Sequence, residues 1–133
     1  MEQGFSFEKL IVYKRAKEYT IFVYSLIKQF PTEEKYAICD QLRRASVSIT
    51  SNIAEGTSRS STKEKSHFIE IAYGSLMETY SQLDIAKDLN YIDEVELNVA
   101  RTKVVELKKL LTALRKSYAA ELQCRVRNKL LNS

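Results

Sequence analysis

The sequence predicts an all-α chain folded as an up-down-up-down antiparallel four-helix bundle. Three observations carry that expectation. Apolar residues recur at spacings of three and four through four long segments. Only three short breaks separate the segments, and short connections between long helices force antiparallel neighbours. Three Gly and one Pro in 133 residues, with 29% charged and 44% hydrophobic, argue against disorder and against a turn-rich β fold. The length suits one domain, residues 1–133, with a basic extension after about residue 118 that is helical, frayed or docked on a neighbour.

The first segment is expected to start after Ser6, an N-cap with Phe5 and Leu10 placed for a hydrophobic staple. Val12, Ala16, Tyr19, Val23, Ile27 and Phe30 form its stripe. Ile11, Tyr13, Ile21, Phe22 and Tyr24 lie off that stripe, so the helix is apolar on more than one side. Such a helix buries a second face, against another subunit or through a central place in the bundle. Pro31 stops it, and Thr32 with Glu33 and Glu34 suits the start of the next helix. There the stripe is Ile38, Leu42, Ala45, Ile49 and Ile53, and Gly56 stands where a left-handed C-terminal cap belongs. Ser61 to Glu64 fits a capping box opening the third helix, with Phe68, Ala72, Leu76, Thr79, Leu83 and Ala86 as its buried line. Asn90 ends that helix, and Asp93 with Glu96 starts the fourth. Leu97, Ala100, Val104, Leu107, Leu111, Leu114 and Tyr118 then give a heptad seam.

Several function classes have no support in these residues. No apolar run approaches the roughly 20 residues of a membrane-spanning helix, and MEQGFSFEKL lacks the basic-then-apolar order of a signal peptide. Cys39 and Cys124 are too few and too far apart for a disulfide scaffold or a zinc site, and a reducing cytoplasm is the simplest home for them. No cofactor fingerprint and no paired carboxylates appear, so no cofactor and no enzymatic activity are expected. A nuclease is the third-ranked reading, because a carboxylate cluster for metal is missing.

The stretch LRRASVSITSNIAEGTSRSSTKE, from Leu42 to Glu64, holds nine Ser and Thr around Gly56. A phosphate-cradling loop needs several glycines followed by Lys-Ser or Lys-Thr, and that pattern is absent. The start of the third helix could hold an anion beside Arg59 and Lys63, with ordinary capping as the alternative. A serine nucleophile needs a base, and the only histidine, His67, reads as a surface or packing residue. A packed junction explains the composition better. Ala45, Ser46, Ser48, Thr50 and Ser51 permit close approach, and Ala72, Gly74 and Ser75 supply matching low relief on the third helix. Gly74, costly in mid-helix, is expected to offset that cost by close packing. Ser48 with Asn52, and Glu78 with Gln82, lie four apart, and antiparallel packing is expected to oppose them as a buried polar patch that sets register.

Charge is uneven along the chain. From Lys108 onward seven Lys and Arg face one acid, Glu121, while the remaining chain carries 14 basic against 16 acidic residues. Arg101, Lys108 and Arg115 recur every seven residues, with Lys109 and Lys116 beside them and Arg125, Arg127 and Lys129 beyond. Such a stripe can follow a phosphate backbone, and nothing resembles a recognition helix or an RNA-stacking platform. Arg43, Arg44, Arg59, Lys63 and Lys65 form a second candidate patch. The alternative for both is a solvated helix face with local ion pairs.

The runs LRRASVSITSNIAEG and RSSTKE, followed by FIEIAYGSLMETYSQLDIA, resemble the bacterial four-helix-bundle family known from reading frames inside 23S ribosomal RNA intervening sequences. The likeness extends from about Val12 through the fourth helix and is tightest from Leu42 to Leu89. It implies the bundle already derived and a homo-oligomer, a pentameric barrel. The related accessory variability determinant of diversity-generating retroelements implies a basic surface that binds nucleic acid and a reverse transcriptase. The expected function is therefore a non-enzymatic oligomeric scaffold binding RNA or DNA through phosphate. A protein-interaction module, with the apolar first helix as its interface, is the alternative.

Overall fold

The computed structural model describes residues 4–132. Met1, Glu2, Gln3 and Ser133 lie outside the described residues, and with them the early acid at Glu2. Four helices follow in order: α1 (Ile11–Ile27), α2 (Ile38–Thr57), α3 (Thr62–Asp88) and α4 (Glu94–Leu131). Each packs on its chain neighbour and α4 returns against α1, which closes a four-helix bundle.

The expected stripes are the core. All six stripe residues from Val12 to Phe30 are buried, as are Leu42, Ala45, Ile49 and Ile53. The α4 seam is buried at every position but Leu114, which packs partly covered against the core. On α3 the line begins at Ile69 rather than Phe68, which lies half-covered at the edge. The off-stripe residues of α1 divide. Tyr13 and Phe22 pack against the core, whereas Ile11, Ile21 and Tyr24 remain exposed.

Two helix starts differ from expectation. Ser6 does not cap α1; residues Ser6–Lys9 make a 3-10 turn in which Glu8 Oε1 accepts from the Phe5 N–H at 3.0 Å. Thr32 does not cap α2, because Thr32–Glu34 is a second 3-10 turn and α2 begins only at Ile38. The later termini follow the sequence more closely. Ser61 Oγ accepts from Glu64 N–H at 3.3 Å, without a return bond from Glu64 among the described residues. Asp93 and Glu96 make a reciprocal capping box, with bonds of 2.7 and 3.0 Å. Asn90 takes a positive φ of 63°, and the Tyr91 and Asn90 N–H groups return to Ala86 and Lys87 carbonyls. That is the paired-bond ending which a left-handed residue makes possible.

Neither inner glycine has its expected role. No glycine has a positive φ, and Gly56 is buried inside the last turn of α2. A Cβ there would stand 2.7 Å from Phe68 Cβ and 3.2 Å from the Lys65 carbonyl oxygen. Gly56 therefore lets α3 approach and does not cap α2. Gly74 meets nothing within 4 Å and faces outward. Its flexibility is uncompensated within the chain, so Gly74→Ala is expected to raise stability by up to about 1 kcal/mol in a denaturant titration.

Hydroxyls bind the bundle from inside. Tyr19 and Thr79 hydroxyls share a buried bond of 2.8 Å between α1 and α3, and Thr20 Oγ1 donates to the Ser46 carbonyl at 3.0 Å between α1 and α2. Burial pushes the Tyr19 hydroxyl up to about 12 against the opposing effect of its Thr79 bond, so it stays protonated near neutrality.

Candidate nucleic-acid interface

The α4 helix, Glu94–Leu131, is a long rod that carries cations on both flanks and on its outer face. At about 1.5 Å per residue, 38 residues span about 57 Å, longer than any partner helix. Tyr118 is the last buried residue, and every residue from Leu122 to Asn132 is exposed. The terminal segment is thus helical and projects past the bundle.

Neighbouring contacts define the two flanks of α4. Toward α1, Arg15 Nε donates to Glu106 at 2.7 Å while its Nη1 pairs with Glu18 at 3.1 Å, and Lys103 lies 5.3 Å from the Phe22 ring centre. That flank is internally neutralised. Toward α3, Arg101 Nη1 donates to the Tyr80 hydroxyl at 3.4 Å. Heptad spacing carries Lys108 and Arg115 along the same flank, and Lys109 and Lys116 stand about 100° further round, facing outward. Lys108, Lys109, Arg115, Lys116, Arg127 and Lys129 are exposed and have no ion pair among the described residues. Arg125 differs, because Glu121 takes its guanidinium at 2.7 Å.

The second candidate patch is two separate groups. Arg43 and Arg44 lie about 22 Å along α2 from Arg59. Arg44 pairs with Asp40 at 3.0 Å, and Arg43 donates to the Lys35 carbonyl at 3.4 Å. At the α2–α3 turn, Arg59 pairs with Glu55 at 3.9 Å and lies 4.8 Å from the Phe68 ring centre. Lys65 stands over Tyr118 at 5.5 Å, so this turn lies beside the outer half of α4. Lys63 is exposed there without an ion pair among the described residues. Burial, with the Glu121 carboxylate adding to it, raises the Tyr118 hydroxyl above its ordinary value.

The polar patch also rearranges. Ser48 and Ser75 hydroxyls meet at 2.9 Å, and Gln82 Nε2 donates to Gln41 Oε1 at 3.3 Å. Both contacts belong to one antiparallel register, which offsets Ser48 and Asn52 from Glu78 and Gln82 along the helices. The two pairs therefore do not face each other. Asn52 donates back to Ser48, and Gln82 donates to Glu78, which is exposed. Gln82 Oε1 is buried without a partner among the described residues.

The hydroxyl-rich stretch is largely consumed locally. Thr57 and Ser58 donate to the Ile53 and Ala54 carbonyls at 2.8 Å, which tightens the last turn of α2. His67 is exposed beside Phe68. Among the described residues, no group of three or more His, Cys, Asp or Glu could hold a metal ion, and no helix is long and apolar enough to cross a membrane. The sequence located the cations but not which of them acids would occupy. Glu106, Asp40 and Glu55 reach their partners across a helix interface or one turn away. Only the latter spacing, four residues, is visible in sequence.

Residues 8–113 match the family model described as 23S rRNA-intervening sequence protein. Arg101, Lys108 and Lys109 lie inside that match, and the cations from Arg115 onward lie beyond it. No curated protein matches the chain. The fold is similar to a crystal structure of a protein with unknown function from the S23 ribosomal protein family, from Bacteroides thetaiotaomicron VPI-5482. That likeness has 24% sequence identity and a TM-score of 0.74, covering 80% of this chain and 99% of the other.

Proposed function

The chain belongs to the 23S rRNA-intervening sequence protein family, and from that premise we propose that it is a non-enzymatic, self-associating scaffold that holds RNA or DNA by its phosphates along α4. The observation that supports this reading is the set of six exposed α4 cations without ion pairs among the described residues. Unpaired cations attract a polyanion at little cost, whereas a paired arginine must first give up its carboxylate. Contacts to phosphate alone carry no base identity, so sequence preference is expected to be weak. Repetition of the stripe in an oligomer multiplies a modest contact by avidity. Resemblance to the accessory variability determinant of diversity-generating retroelements adds a reverse transcriptase to the candidate partners, and a pentamer to the candidate assemblies.

Titration of labelled RNA, single-stranded DNA and duplex DNA at two salt concentrations tests the proposal. With about six phosphates engaged, duplex affinity is expected to fall about a thousandfold between 50 and 200 mM salt. Affinity flat across that range would sink it. The second reading, a polypeptide-binding module, draws on Ile21 and Tyr24 of α1, which are 65% and 39% exposed. Under that reading, nucleic acid binds at neither salt concentration.

A further inference from the structure

A groove of about 290 Å³ runs between the start of α3 and the outer part of α4. Lys63, Ser66 and Glu70 line it from α3, where spacings of three and four put them on one face. Tyr118, Ala119 and Leu122 line it from α4. Its volume stands at the lower end of small-ligand sites, roughly 300–1,000 Å³.

The polar groups around this groove are unused within the chain. Tyr118 is only 8% exposed, with Lys65 over its ring, yet its hydroxyl has no hydrogen-bond partner among the described residues. A covered side chain that keeps a spare donor beside an open groove is suited to a ligand acceptor. The side chains of Lys63, Ser66 and Glu70 likewise have no hydrogen bond or ion pair among the described residues. Glu121, which Thr62 meets at the edge of the groove, is already held by Arg125 at 2.7 Å. Arg115 and Lys116 precede Ala119 by four and three residues, so the groove adjoins the cations of α4.

We propose that the groove seats one unpaired nucleotide of a single strand whose neighbouring phosphates lie on the α4 cations. A bare oxyanion would meet Lys63 and the Tyr118 hydroxyl, but it would also face Glu70 and leave Ala119 and Leu122 uncovered. A nucleotide engages every group. Its phosphate meets Lys63, its base edge offers both donors and acceptors to Glu70, Ser66 and Tyr118, and its base face covers the two apolar residues. In a duplex the faces are stacked and the pairing edges occupied, so a paired base cannot enter. The inference rests on the phosphate reading and adds to it a role for bases.

Filter binding of the nuclease-treated full chain tests it with three probes: an oligodeoxythymidine, an abasic strand of equal length and a duplex. The parent protein is expected to hold the base-bearing strand about tenfold more tightly than the abasic one. Ala119→Phe fills the groove from an exposed position, so the melting temperature should stay that of the parent. It is expected to abolish the tenfold difference and to leave duplex and abasic affinities unchanged. Tyr118→Phe removes only the hydroxyl and is expected to narrow the difference about threefold. Equal parent affinity for the base-bearing and abasic strands, either variant keeping the full difference, or a loss shared by the duplex would overturn the inference. Steep salt dependence would then leave the phosphate reading standing, whereas no binding to any probe would remove both.

Discussion

Gly56→Ala is expected to lower the melting temperature by about 8 °C, measured by circular dichroism. The methyl group would enter within 2.7 Å of Phe68 Cβ and 3.2 Å of the Lys65 carbonyl oxygen. Neither atom is the tip of a flexible side chain, so α2 and α3 must part along their contact. Overpacking at such a site costs about 3 kcal/mol, and the better helix propensity of alanine returns about 1. The net loss of about 2 kcal/mol converts to the stated shift at roughly 4 °C per kcal/mol for a chain of this size. Ala at Gly74, with open space around it, is expected to move stability the other way. A Gly56→Ala protein as stable as the parent would mean that the close contact is not a constraint.

Replacing Lys108, Lys109, Arg115 and Lys116 with glutamine is expected to weaken nucleic-acid binding by about three and a half orders of magnitude in 0.1 M salt. Four lost phosphate contacts remove about 0.9 each from the slope of log affinity against log salt, and the same quantity sets the loss at fixed salt. All four side chains are exposed, so helicity and melting temperature should stay close to those of the parent. Gln at Arg43, Arg44 and Arg59 provides the contrast. Arg44 and Arg59 already face carboxylates, and Arg43 a backbone carbonyl, so affinity should change only several-fold. Equal losses in the two variants would assign binding to net charge rather than to the α4 stripe. Filter binding at two salt concentrations separates these outcomes.

The contrast between the glycines shows how far local information reaches. Near Gly56 the sequence offered a run of Ser and Thr after a helix pattern, which is also what a helix end looks like. The approach of Phe68 and Lys65, which sets the residue's role, comes from another helix and leaves no trace in local spacing. Small neighbours at Ala72 and Ser75 give Gly74 the local pattern of a seam residue, yet helical rotation turns it outward. Among the candidate site residues, the α4 stripe was legible because a seven-residue period keeps cations on one flank. Its difference from the α2 arginines was not, since that depends on which acids come within reach.

Sequence alone determined the four helices, most of the core residues though not Leu26, Cys39, Ile69 or Ile92, and the Asp93–Glu96 start of α4. These follow from periodicity and from bonds made within one turn, which neighbouring residues dictate. Tertiary structure decided the α2–α3 register, the close contact at Gly56 and the outward turn of Gly74, the Tyr19–Thr79 bond, and which cations remain unpaired. Each depends on side chains tens of residues apart meeting across a helix interface, where a rotation of one residue, about 100°, changes what faces what.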